Sequence, residues 1–379
     1  MESQSKTLAT NTENLTGVFT TPGDENVFKL KLDAEIPNFN LFPEDALVEN
    51  TSEHFAANEN QALNLYDNTR PKRGRKVADI HKSPYFDRLT AIYGKTFRKE
   101  ESDLWEWLHA NDQYPNRILF QWEDIMCYKV DFQSMNDGEM VMNSVVDVWC
   151  VFLNSLEELR APVSPYRIFC YTESTLGVLN ASTEANIAKR YLTFEENMDH
   201  VFKTNGTSLT EVDMVFFPIF NVNHYYVVCY NLKHPSIDIL DNIQSDKTIQ
   251  NLYGHRLVVL YSKSFIYSIQ NKHFLEYLRR KEHAKLDDLK RMEPQRLKMR
   301  WQTKNNSIDC GIYAMRHMET YFGGGSRTWD SKIQVESYTQ KKQISRLRLL
   351  YTYRMLSSPH NCLYEVLEDL IKDENACTR

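Results

Sequence analysis

Four residues in this chain are candidates for a nucleophilic site. Cys310 stands in "SIDCGIYAMRHMETYF", between an aspartate and a glycine, at the head of a run with helical period. A thiol at a helix N-terminus is biased toward the thiolate, the attacking species. His224 begins the apolar run "HYYVVCYNL" just after a turn, and Asp241 closes the next run, "SIDILD". If these runs form a hairpin turning near Lys233 to Pro235, the start of one faces the end of the other, and His224 and Asp241 become cross-strand neighbours. A carboxylate beside an imidazole fixes its tautomer and stabilises the imidazolium. Gln302, eight residues before Cys310, sits on the entering loop, where its amide can donate to an oxyanion beside the Cys310 N–H. Each residue alone is ordinary. A cysteine at a helix start is commonly a small packing residue, and His255, His273, His283 and His317 show how freely histidine occurs. The order His, Asp, Gln, Cys, at two strand ends and a helix start, is what argues for thiol chemistry.

The elements that must position these groups follow from periodicity. "MVMNSVVDVWCVFLNSLEE", Met140 to Glu158, reads as an amphipathic helix after the start signal "NDG". "SPYFDRLTAIYG" and "ESDLWEWLHAND" read as short helical pieces, and "YRIFCY" as a short strand. From 211 to 241 the period changes: "VDMVFFPIF", "HYYVVCYNL" and "SIDIL" are three strands, the middle one apolar on both faces. Phe274 to Met292 is helical. A helix opens at Cys310 with Ile312, Met315, Met318 and Phe322 on one stripe and ends at "GGG", 323–325. A further helix covers "QKKQISRLRLLYTYRML". Helices, then a small sheet, then helices predict an α+β fold.

Composition narrows the function. The 379 residues are 42% hydrophobic and 12% aromatic, enough for a globular core. A net charge of −6 excludes a nucleic-acid-binding polycation. Seven cysteines, an odd number with no C-x-x-C pair, predict reduced thiols and neither a disulfide framework nor a zinc site. No apolar run is long enough for a membrane span, and the N-terminal stretch lacks the apolar core of a secretory signal. Residues 1–70 are polar and aperiodic and are expected to be a weakly ordered arm. "RPKRGRK", Arg70 to Lys76, packs five basic residues into seven. It reads as a nuclear import signal or a solvated linker, with at most a weak nucleic-acid contact. The expected location is the nucleus or cytoplasm.

"FFPIFNVNHYYVVCYNLKHPSIDILDN" and "WQTKNNSIDCGIYAMRHMETY" resemble the signature segments of the ubiquitin-like protease family. This family comprises the cysteine peptidases that process SUMO and related modifiers on an adenoviral-protease-type fold. The resemblance is strongest to a divergent, transposon-associated plant branch and covers roughly residues 118–323. "GEMVMNSVVDVWCVFLN" resembles the helix that opens the family's domain. The resemblance implies a papain-like α+β fold: a small central mixed or antiparallel sheet flanked by helices, with the catalytic cysteine at a helix N-terminus. It implies a basic linker with short helices over 71–117, the catalytic domain over 118–323 and a helical extension over 324–379. His224, Asp241, Cys310 and Gln302 take the catalytic positions, and no metal or cofactor is needed. The partner implied is a SUMO-like or other ubiquitin-like modifier and its conjugates.

Three departures stand out. Tyr225 replaces the tryptophan that usually follows the histidine and roofs the channel for the modifier's Gly-Gly tail; an aromatic wall is kept. The Gln-to-Cys gap is about two residues longer than usual, so Asn305 or Asn306 is an alternative oxyanion donor. Residues 255–270, "HRLVVLYSKSFIYSIQ", read as strand-like where the family has a short helical linker. Two rival functions remain at this level. One is an acyltransferase on the same type of fold, using "RLKMR", Arg296 to Arg300, as a basic donor pocket. The other is a degenerate, transposon-derived binding module.

Overall fold

The computed structural model describes residues 89–377, apart from 95, 111–113, 176–186, 222, 250–251, 253–264 and 305. The polar arm, the basic run at 70–76 and residues 255–264 lie outside the described residues. The described chain opens with α1 (Lys99–His109), a hairpin of β1 (Ile118–Trp122) and β2 (Ile125–Tyr128), α2 (Lys129–Gln133) and α3 (Asn143–Glu157). Then come β3 (Arg167–Phe169), α4 (Ile187–Thr204), β4 (Met214–Phe220), β5 (Tyr225–Asn231) and β6 (Ser236–Leu240). The rest is α5 (Phe265–Arg280), α6 (Leu286–Lys290), β7 (Gln295–Arg296), α7 (Cys310–Thr320), α8 (Tyr338–Leu356) and α9 (Tyr364–Cys377).

Five strands form one mixed sheet in the order β3-β4-β5-β6-β7. β4, β5 and β6 are antiparallel; β3 joins β4 and β7 joins β6 in parallel. The expected α+β architecture, a small mixed sheet flanked by helices, is the one observed. β5 is buried along its whole length because both sheet faces are covered. On one face Phe216 meets Tyr321, just beyond α7, with ring centroids 6.4 Å apart. On the other, Phe217 meets Phe194 of α4 at 6.1 Å and Phe274 of α5 at 5.4 Å. Adjacent residues of one strand thus anchor opposite layers, as a period of two requires.

Several sequence expectations shift. "NDG" is a turn in which Gly138 takes φ +85°, and α3 begins five residues later at Asn143. Residues 89–94 form no helix. Their polar backbone is used by α7 instead: the Thr90 N–H and hydroxyl donate to buried Glu319, and the Thr90 carbonyl accepts from Arg316. Residues 265–270 belong to α5, so that part of the strand-like reading is corrected. Apolar β-branched content is ambiguous over so short a window. The helix expected from Phe274 to Met292 is split at 281–285, where Glu282 takes φ +51°. Finally, α7 has no solvent face: every residue from Cys310 to Thr320 is buried. No helix among the described residues is long and apolar enough to cross a membrane.

Arg167 ties the sheet to the C-terminal end of α7. Its guanidinium is 2% exposed, pairs with Glu157 of α3 at 2.8 Å, and donates to the carbonyls of Met318, Glu319 and Tyr321. A cation at the negative end of a helix dipole is favourable, and a buried one must be paired. Glu157→Leu should therefore destabilise by roughly 3–5 kcal/mol in urea unfolding. Arg167→Leu should cost more, because it strands a carboxylate and three carbonyls together.

Candidate active site

The strand β4 turns into β5 through a tight loop in which Asn221 and His224 exchange backbone hydrogen bonds of 2.9 and 3.1 Å. Asn223 takes φ +58°, a left-handed conformation asparagine tolerates well. His224 therefore leaves the turn at a fixed point. The β5–β6 hairpin pairs Val227 with Leu240. Continued one step, this register sets Asp241 opposite Tyr226, so His224 is a diagonal neighbour and not a direct one. The side chains still meet: His224 Nε2 and Asp241 Oδ1 are 2.9 Å apart. A diagonal pair is within reach of long side chains on one face.

Asp241 is 3% exposed and fully engaged. Its Oδ1 also accepts from the Ile243 N–H at 2.9 Å, and its Oδ2 pairs with Arg296 at 3.2 Å. Arg296 reaches it because β7 lies parallel to β6, with Ile239 opposite Arg296. The same guanidinium also donates to the carbonyls of Ser245 and Ile243. Along "RLKMR", Leu297 and Met299 point into the core while Lys298 and Arg300 face solvent. The run does not converge into a basic pocket.

Cys310 is the first residue of α7, with Asp309 as its N-cap. Its sulfur has no exposed surface and accepts from the Tyr225 N–H at 3.3 Å. His224 spends Nε2 on Asp241, and the imidazole lies close enough to Cys310 to be affected by its charge. Burial pulls the His224 pKa down, but the hydrogen bond to Asp241 and the charges of Asp241 and Cys310 outweigh it and hold the pKa at about 9. Next to Cys310, Gly311 is required by space. A Cβ there would lie 2.8 Å from Val141 Cβ and 3.4 Å from the Tyr225 ring. The Tyr225 hydroxyl donates to the Val141 carbonyl at 3.0 Å and contacts Asn143 Oδ1 at the start of α3.

Arg348 of α8, which the sequence reading passed over, holds this corner. It is completely buried and pairs with Asp309 at 2.5 Å. It also donates to the carbonyls of Ser134, Asn136 and Glu139. The residue before Cys310 is thereby fixed to the loop that leads into α3. A buried arginine with a full set of acceptors is a clamp no helical periodicity announces.

Gln302 is placed differently from the expectation. Its Nε2 donates to the Asp241 carbonyl at 2.9 Å and faces the Ile243 carbonyl at 3.3 Å, and its Oε1 accepts from the Met299 N–H. Both amide hydrogens are engaged, so in this arrangement Gln302 braces the 241–243 turn and is not free to meet an oxyanion. Asn306 is also committed: its Nδ2 donates to Asp309 and its Oδ1 accepts from the Asp309 N–H. Asn305 lies outside the described residues. Other nitrogen and sulfur groups have local roles. His317 is buried, accepts from Trp301 Nε1 at 3.0 Å, and is kept neutral by burial, with its pKa near 3. Cys127, Cys150, Cys170 and Cys229 are buried free thiols; Cys362 is exposed. Among the described residues no cluster of three or more His, Cys, Asp or Glu side chains is arranged to hold a metal ion.

Residues 171–351 match the family model described as Ulp1 protease family, C-terminal catalytic domain. That span includes His224, Tyr225, Asp241, Gln302 and Cys310, and also Arg348. This segment of the chain is similar to the catalytic domain of the ubiquitin-like protease family. Among solved structures, the C-terminal Ulp1 protease domain in complex with Smt3, the yeast ortholog of SUMO, is 14% identical. The match covers 72% of this chain and 100% of that one, with a TM-score of 0.48. A Ulp1-like SUMO protease catalytic domain from Chaetomium thermophilum is 12% identical over 68% of this chain and 90% of its own, with a TM-score of 0.42. A de-sumoylating protease is 14% identical over 67% and 96%, with a TM-score of 0.43. No curated protein sequence matches.

The site geometry predicts an unusual titration. Because its pKa is raised, the His224 imidazole stays protonated through neutral pH and loses its proton near pH 9. Its pairing contributes stability fully below its ordinary value of 6.5 and loses it as pH rises through about 9. An NMR titration of His224 should show this, and Asp241→Asn should bring the midpoint well down. A midpoint equal to that of an exposed histidine would contradict the geometry.

Proposed function

We propose that this protein is a cysteine peptidase that hydrolyses the bond after the C-terminal glycine of a ubiquitin-like modifier, by deconjugation or precursor processing. The observation that carries this reading is His224, hydrogen-bonded to Asp241 and coupled electrostatically to Cys310, with the sulfur at the N-terminus of α7. The family match over 171–351 supports it.

In this reading Cys310 attacks as a thiolate, stabilised by the imidazolium of His224, by the Tyr225 N–H and by the α7 dipole. Attack on the glycine carbonyl carbon gives a tetrahedral oxyanion. The first N–H groups of a helix have no intrahelical acceptor, so the Cys310 N–H is an available donor. His224 then protonates the leaving nitrogen, a lysine ε-amine or a peptide nitrogen, as the C–N bond breaks. The neutral imidazole accepts a proton from water, whose oxygen attacks the thioester, and Cys310 departs as thiolate. Asp241 keeps the imidazole oriented and its charge balanced, with Arg296 behind it. Gln302 acts as a positioning residue for the 241–243 turn, and Tyr225 forms one wall of the path to the sulfur. The acyltransferase alternative has no support from Arg296, which is spent on Asp241 and two carbonyls. Placement in the nucleus or cytoplasm rests on the basic run at 70–76.

A vinyl-sulfone probe built on a ubiquitin-like modifier separates an enzyme from a binding module, because labelling requires a competent thiolate. Wild type should label and turn over a modifier–fluorophore substrate. Cys310→Ala and His224→Ala should do neither, and Asp241→Asn should lose about 10–10³ in rate. Addition to the probe creates no oxyanion. If Gln302 is a positioning residue, Gln302→Ala should slow labelling and turnover by similar factors; loss of turnover alone would restore it as the oxyanion donor. An unlabelled wild type across a panel of modifiers would sink the peptidase reading.

A further inference from the structure

Next to Asn143, which contacts the Tyr225 hydroxyl, the surface opens into a cleft of about 720 Å³. It lies between the β1–β2 turn, the start of α3, the segment after β3, and α4. Asn143 links the two places: its Oδ1 takes the Tyr225 hydroxyl, and it also lines the cleft. The cleft is thereby one side chain removed from the wall beside Cys310.

The lining is one-signed. Asp124, Asp147, Glu173 and Glu196 all face it, and no lysine or arginine does among the described residues. Among the described residues, Asp124 alone of these four has a basic partner, His200, at 3.2 Å. Asp147 is held by the Thr172 N–H and hydroxyl at 2.6 and 2.8 Å. Burial and the nearby charge of Glu173 push its pKa up to about 7, although those two hydrogen bonds pull it down. The cleft wall also carries an unused polar group. Ser174 is 1% exposed, lines the cleft, and its hydroxyl has no hydrogen-bond partner among the described residues. Buried hydroxyls are normally satisfied, so an orphan one in a polar cleft marks a place where an outside group completes the bonding. The occupant is not a metal ion, since among the described residues no three such ligands converge. The cleft is far larger than an ion needs, and its carboxylates are spread along it. A planar cation with several donors on a flexible stem fits that spread.

We propose that this cleft receives an arginine side chain from the substrate's tail, a few residues upstream of the scissile glycine. The assignment rests on the peptidase reading of Cys310 for what lies at the tail's end. It makes the cleft a specificity site: a tail carrying arginine is preferred over one carrying neutral glutamine of similar length. Glu173 and Glu196 are exposed and steer the guanidinium, while Asp147 and the Ser174 hydroxyl meet it deeper in the wall.

The test uses full-length protein and synthetic pentapeptides ending in Gly-Gly, with arginine or glutamine at each of the three upstream positions in turn. Binding is measured on Cys310→Ala by fluorescence anisotropy, and turnover on the active chain with the same peptides as aminocoumarin amides. At one position arginine should bind about tenfold tighter than glutamine. The preference should fall to within about twofold in the Glu173→Gln, Glu196→Gln pair, whose exposed positions leave folding intact. Asp147→Asn should weaken the arginine peptide and leave the glutamine peptide's affinity unaltered. Equal binding of arginine and glutamine peptides at all three positions, or a preference that survives the Glu173→Gln, Glu196→Gln pair, overturns the proposal. Arginine-selective binding without turnover by the active chain would leave the cleft assigned and count against the peptidase reading instead.

Discussion

Asp241 is a carboxylate with almost no contact with solvent, and the architecture around the candidate site follows from keeping it charged. Burying such a group without partners costs several kcal/mol. Here Arg296 supplies the countercharge, His224 the functional hydrogen bond and the Ile243 N–H a third donor. This explains the two-residue strand β7. Its pairing with β6 is too short to matter much as sheet, but it delivers Arg296 to the end of β6. It also explains the commitment of Gln302, which ties the entering loop of α7 to the backbone on either side of Asn242. Through these bonds the loop before Cys310 and the strand end carrying Asp241 move as one piece.

The nucleophile's helix is held with the same economy of freedom. α7 runs through the centre of the fold, so its polar residues must be satisfied by protein. Arg316 and Glu319 pair with each other at 2.6 Å, and Thr90, Tyr351 and Arg354 complete the network around Glu319. At the other end Arg348 fixes Asp309. The Trp149 indole donates to the Met315 carbonyl and locks α3 against the helix midpoint. A nucleophile mounted this way has little freedom to wander, which suits a reaction whose rate depends on tenths of an ångström.

The sequence was legible where a local pattern has one physical solution. The three strands from 211 to 241, the turn before His224 and the helix at Cys310 all follow from periodicity and turn chemistry, whereas that helix stops at Thr320, before Phe322 and the glycines expected to end it. So did the meeting of His224 with Asp241, although the register makes it diagonal. What resisted reading were the partners of charged and polar side chains. Arg296 looked like part of a basic surface because its neighbours Lys298 and Arg300 are exposed; the pairing of β7 beside β6 brings it to Asp241 instead. Gln302 carried the right chemistry for an oxyanion donor, yet its amide is taken by carbonyls that only the tertiary fold brings close. Arg348 sits in a helix with no clear apolar face, where periodicity offers no signal. The residues at 265–270 failed for a different reason: a short apolar, β-branched stretch has no distinguishing period, and contacts elsewhere decide its state.

Access to Cys310 follows from the same packing. The sulfur exposes no surface, whereas about a fifth of the His224 side chain does. Tyr225 and Val141 close over the start of α7, with Gly311 between them because a methyl group would already collide. On the proposed function, a substrate reaches the sulfur only as a strand thin enough to pass such walls, and glycine alone offers a backbone without side chains. Tyr225 adds something a purely apolar wall would lack. Its hydroxyl is tied to the Val141 carbonyl and to Asn143, so widening the passage must strain or break hydrogen bonds that the entering backbone can replace. The cost of opening then falls on any ligand that lacks backbone donors and acceptors in register. Selection of an extended glycine tail over a bulkier or less polar chain is thus built into the wall as well as into its width.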